Sequence, residues 1–149
     1  MLHFAVALLL MAPLFDVLGL LLRREALILA GRWNTLVGTA AGVLSLLTGL
    51  GAQAALGPHS AAGEALLHFH RALGFVMMAV WVPVAGWRLA SKWPLPVRAR
   101  TLYLAAAISG AAIVTIETVL GGALVYRHGV GLSPTARAEP IVRPSTPPR

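Results

Sequence analysis

The side chains best suited to chemistry in this sequence are its five histidines: His3, His59, His68, His70 and His128. Neutral imidazole is the commonest metal ligand and the side chain whose charge changes nearest neutral pH. A bis-histidine haem b needs two imidazoles from facing helices, with small residues beside them so that the flat macrocycle fits. His70 meets the local requirement, because Gly74 lies one helical turn further on, and His128 is the candidate second ligand. His68 stands two positions from His70, about 200° around a helix, so both cannot face one centre. It is an alternative to His70 rather than its companion. A bare metal ion would draw its shell from His3, His70, His128 and Glu64. The plainer reading is that all five are interfacial histidines at a membrane surface, where imidazole is well tolerated.

Three further polar residues interrupt apolar runs: Asp16, Arg71 and Glu117. A carboxylate inside a bilayer is costly, so it is functional or it is paired. Arg71 on the third run could be the partner of Glu117, in a pair that would serve only to fix helix register. Glu117, Gly121, Leu124 and His128 would share one helical stripe if the helix ran that far. Asp16 sits near Pro13 toward the other membrane half, too far from Glu117 for the two to form a relay. Gly38, Gly42, Ser45 and Gly49 form a small-residue stripe of the kind that lets helices pack closely in lipid. No nucleophile–base pair, phosphate loop or catalytic carboxylate pair is present, so the chain is not expected to be an enzyme by itself.

These residues lie in long apolar elements. The sequence is 58% hydrophobic and 11% charged, against about 45–50% and about 25% in soluble domains. The apolar runs are Leu2–Leu22, about Trp33–Leu56, about Leu66–Leu89, and Thr101–Tyr126. Each is long enough, at 1.5 Å per residue, to cross roughly 30 Å of hydrocarbon. The expected fold is all-α: an integral membrane four-helix bundle over residues 1–131. Ala26–Ala30 is too short to span, and either lies at the interface or extends the second helix. A net charge of +7 invites a nucleic-acid reading, but no basic face or aromatic groove supports it. The absence of cysteine removes disulfides, thiolate metal sites and covalent haem attachment.

Arg23, Arg24, Arg32, Arg88, Lys92, Arg98 and Arg100 fall on one side of the membrane. Arg71, Arg127 and the tail arginines Arg137, Arg143 and Arg149 fall on the other. The positive-inside rule then places both termini in the periplasm of a bacterial inner membrane, and all five histidines on that face. Trp33, Trp87, Trp93 and Tyr103 read as a cytoplasmic aromatic belt, with Tyr126 at the opposite interface. The first run has no basic residue before it, as a signal peptide would, and so reads as a retained helix. Residues 132–149 carry Pro134, Pro140, Pro144, Pro147 and Pro148. That composition suits an extended periplasmic tail able to dock on a partner.

The end of the fourth run is the most specific string in the chain: Gly121-Gly122-Ala123-Leu124-Val125-Tyr126-Arg127-His128-Gly129-Val130-Gly131. It resembles the Gly-Gly-x-Leu-Val-Tyr-x-His-Gly-Val-Gly hallmark of predicted four-helix bacterial membrane proteins labelled domain of unknown function 2231. His3-Phe4, Leu14-Phe15-Asp16, Thr48-Gly49-Leu50 and His70 match that pattern more loosely. The resemblance covers about residues 3–131 and departs at Ala5, where Pro often stands. It marks His3, His70 and His128 as candidate family positions. Such domains also occur fused to Rieske iron–sulfur or cytochrome c modules, which implies respiratory or photosynthetic electron transfer. The expectation is a membrane subunit of a bioenergetic complex, holding haem b or a metal ion and working with other membrane subunits and a periplasmic redox protein. The rivals are a cofactor-free accessory subunit and a small transporter or ion-binding protein using Glu117.

Overall fold

The computed structural model describes residues 2–132, except 54, 58, 59 and 92–94. His59, Lys92, Trp93 and the proline-rich tail lie outside the described residues. The chain forms α1 (Leu2–Leu21), α2 (Glu25–Gln53), α3 (Ala61–Ala90) and α4 (Val97–Tyr126), with no strand among the described residues. All four helices are long and apolar enough to span a membrane.

Three helices extend beyond their apolar runs, for local reasons. α2 begins at Glu25 and absorbs Ala26–Ala30, because the turn before it closes tightly. Arg24 N–H donates to Gly19 O at 2.9 Å, with Arg23 at φ 51. α3 starts at Ala61 because the Ser60 side chain caps it, accepting from Gly63 N–H at 3.1 Å. α4 starts at Val97, directly after Pro96, a residue whose fixed φ favours a helix start.

Consecutive helices pack as neighbours and α4 closes back on α1, while the diagonal pairs keep their backbones apart and meet only through long side chains. The α1–α2 seam is the closest because it is built on glycine. A Cβ at Gly38 would stand 2.9 Å from Leu9 Cδ2 and 3.0 Å from Leu8 Cβ. The core lies toward the α1–α2 and α3–α4 connections, around Trp81, Tyr103, Ala107 and Leu9. Much of the remaining apolar surface, such as Leu21, Trp33 and Val119, faces outward, as lipid requires.

Two expected surface residues are core residues. Tyr103 is fully buried rather than interfacial, and Arg88 is buried rather than a free loop-end charge. Both are drawn inward by Asp16.

Candidate functional site

Two polar centres lie inside the bundle, at opposite ends. The first joins all four helices. Arg88 of α3 donates to Asp16 Oδ1 of α1 at 2.7 Å, and Tyr103 of α4 donates to Asp16 Oδ2 at 2.9 Å. The same guanidinium donates to Ile28 O of α2 at 2.8 Å and lies 5.4 Å from the centroid of the Tyr103 ring. Thr35 Oγ1 stands 3.4 Å from the Tyr103 hydroxyl and donates to Gly31 O at 2.9 Å. Trp87 packs edge-on against Tyr103 with centroids 6.1 Å apart. Asp16, Thr35, Arg88 and Tyr103 are all buried, so this centre locks the helices together.

The second centre is different in kind. His70 of α3 places Nε2 3.3 Å from Glu117 Oε1 of α4, with the two side chains 24% and 8% exposed. Each side chain lies against a glycine of the opposite helix. The imidazole Cε1 is 3.2 Å from where a Gly121 Cβ would stand, and Glu117 Oε1 is 3.7 Å from the Gly74 equivalent. His70 and Gly74 on α3 thus mirror Glu117 and Gly121 on α4, each pair one turn apart. Any larger residue at Gly121 would press on the ring.

Around this pair α2, α3 and α4 leave a cavity of about 630 Å³. Its walls are mostly apolar, with Leu46, Met77 and Leu124 beside His70, Glu117 and Ser45. Two buried polar atoms of these lining residues make no hydrogen bond and are shielded from solvent: His70 Nδ1 and Ser45 Oγ. A buried polar atom without a partner costs about 1–3 kcal/mol. An imidazole held by a carboxylate through one ring nitrogen is the arrangement that orients histidine for ligation or proton exchange at the other.

Of the other candidates, Arg71 also lines the cavity, whereas His3, His68 and Glu64 are not among its described lining. Glu117 meets His70, not Arg71, which corrects the expected pairing. Arg71 donates to Gln53 Oε1 at 3.4 Å, and its Nη2 lies 2.8 Å from His68 Nδ1. His68 Nε2 in turn lies 2.9 Å from Glu64 Oε1, so Glu64, His68 and Arg71 form a string about two turns long on α3. His68 and His70 are therefore on separate surfaces, as their spacing demands. His3 is exposed near the start of α1.

α4 ends at Tyr126, so His128 does not continue the Glu117 stripe, which stops at Leu124. Gly129 at φ 61 and Gly131 at φ 83 turn the chain back instead. This return buries Val130 and brings His128 Cβ to 3.4 Å from where a Gly63 Cβ would stand. Val130 reaches the cavity, whereas the described lining does not include His128. Among the described residues no three of His, Asp and Glu converge on a metal-sized centre. Neither Gly121 as the seat of His70 nor Ser45 as a cavity group was assigned from sequence, although both stood on the stripes that mark them.

The profile of a family of predicted membrane proteins, DUF2231, matches residues 1–134. The chain belongs to that family. No curated protein and no solved structure matches it. In this DUF2231 protein the hallmark string does physical work at three points. Gly121 seats His70, Leu124 lines the cavity, and the two left-handed glycines fold Val130 onto the top of the bundle.

Proposed function

We propose that this membrane protein is a subunit of a larger electron-transfer complex, and that the His70–Glu117 cavity is where it holds a redox-active group. The observation that carries the reading is a carboxylate-backed imidazole on the wall of a membrane-embedded cavity, with its second nitrogen unused. An ionisable pair kept in an apolar setting is expensive, and function is the usual reason for keeping one. The fusion of similar domains to iron–sulfur and cytochrome modules supports the same direction by association.

Haem b would take His70 as its ligand from this chain, and a metal ion would take His70 with Glu117. In either case the remaining donors would come from a neighbouring subunit. His128, set against Gly63, favours the second reading, a cofactor-free accessory subunit. Orientation by the positive-inside rule puts both termini and the cavity toward the periplasm, where a periplasmic redox protein and other membrane subunits would be the partners. The pairing of Arg88 with Asp16 leaves Arg23, Arg24, Arg32, Lys92, Arg98 and Arg100 to carry that asymmetry.

The test is to isolate the protein from its own membranes in mild detergent and identify what accompanies it, then measure membrane electron flow with and without it. Co-isolation with redox subunits and slower electron flow in its absence are expected. A chain that isolates alone and whose loss leaves electron flow unchanged would refute the reading.

A further inference from the structure

The cavity itself narrows the ligand class, and the inference rests on the electron-transfer reading above. Its position within the span and its apolar walls call for a lipid-soluble molecule. Its two unpaired polar atoms call for something an acyl chain cannot give. His70 belongs to α3 and Ser45 to α2, so the two residues with unmet hydrogen bonds stand on different walls of one cavity, and each shielded atom, Nδ1 or Oγ, meets a ligand by a turn of its side chain. With Nε2–H directed at the Glu117 carboxylate, Nδ1 is left as a lone-pair acceptor that a hydroxyl satisfies. The Ser45 hydroxyl can donate to a carbonyl or accept from a hydroxyl.

A flat ring carrying oxygen at both ends answers both walls at once, and its apolar edges suit Leu46, Met77 and Leu124. The volume of about 630 Å³ falls within the range of roughly 300–1,000 Å³ of small-molecule sites. A haem or bare metal needs more donors than His70 and Glu117 provide, whereas a hydrogen-bonded ring needs none. We propose that the cavity binds the head group of a lipid-soluble quinone or its quinol, held between His70 and Ser45, with Glu117 positioning the imidazole. Only binding is assigned; electrons reach or leave the ring through partners in the complex.

Two substitutions separate this occupant from lipid or water. Ser45→Ala removes an unpaired buried hydroxyl, so the empty protein should be as stable as before or more so. Loss of the hydrogen bond should nonetheless weaken quinone binding about tenfold, the size of one such bond to a buried group. At Gly49, which lines the cavity, a Cβ would meet nothing within 4 Å. Gly49→Phe can therefore place a ring in the cavity without a backbone clash, and should abolish binding while the helices stay folded by circular dichroism.

The experiment is calorimetric titration of decylubiquinone into the full chain in phosphatidylcholine nanodiscs, with empty nanodiscs as reference and native quinone counted in solvent extracts of the isolated protein. Saturable binding near one quinone per chain, weakened by Ser45→Ala and lost in Gly49→Phe, is the expected result. Uptake no greater than empty nanodiscs, equal binding by Gly49→Phe, or extracts holding only phospholipid would overturn the proposal. No quinone binding in a protein whose loss still slows electron flow would overturn this inference alone. Binding without any effect on electron flow would overturn the wider reading instead.

Discussion

His70 and Glu117 meet 3.3 Å apart between α3 and α4, and each lies against a glycine of the other's helix. The two sides differ in tightness: a Cβ at Gly121 would crowd the ring at 3.2 Å, whereas one at Gly74 would meet Glu117 Oε1 at an ordinary 3.7 Å. Gly121 supplies the gap that the imidazole occupies.

A double-mutant cycle should find the two side chains coupled. Glu117→Leu alone should lower stability by about 1–3 kcal/mol, below the full penalty for a broken buried pair because His70 keeps some exposure. His70→Leu combined with Glu117→Leu should cost less than the sum of the single changes. Thermal unfolding in one detergent across the four proteins measures this, and strict additivity would show that the pair does not interact.

The glycines at 121 and 122 should behave oppositely. A Cβ at Gly121 meets His70 Cε1 at 3.2 Å, while one at Gly122 meets nothing within 4 Å. Gly122→Ala should therefore be neutral or gain up to about 1 kcal/mol from helix propensity. Gly121→Ala should forfeit that gain by pushing the ring away from Glu117. Melting temperatures of the two variants, measured side by side, check the difference.

At the opposite end, Asp16→Ala should be among the most damaging substitutions, at about 3–5 kcal/mol, because it strands the buried Arg88 guanidinium. Tyr103→Phe removes one hydrogen bond to Asp16 and should cost about 1–2 kcal/mol. If the Asp16 variant unfolds no earlier than the Tyr103 variant, the network is not the lock described.

The sequence makes the spans legible because lipid leaves helices few alternatives, and apolar length reports them directly. Local chemistry set the ends beyond the apolar runs, as at the Ser60 cap of α3. His70 and its stripe through Gly74, Met77 and Trp81 follow from helical periodicity, and the last three are buried. Partners across helices were harder, because periodicity carries no information on which helices adjoin. Depth would have helped. His70 lies nine residues after the start of α3 and Glu117 nine before the end of α4, about 13 Å from those ends in each case. Arg71 would be excluded by its direction on the helix. Arg88 was read as a loop-end charge because a charge near a helix end normally faces water. Nothing local reveals that Asp16 claims it.

Orientation has its own check. A reporter active only in the periplasm should be active when fused after Arg149 and silent when inserted at Lys92, if the basic-residue asymmetry sets the topology. The reverse pattern would move the His70 cavity to the cytoplasmic side.

The most direct test of the His70–Glu117 cavity as the working centre compares two variants of matched stability. His70→Leu alters the cavity, and Tyr103→Phe loosens only the distant lock. Electron flow is measured in membranes carrying equal amounts of each folded protein. The cavity account predicts that His70→Leu lowers the rate toward that of membranes lacking the protein, while Tyr103→Phe leaves it near the original. Equal rates for the two variants would contradict it and leave the chain as a brace for its neighbours.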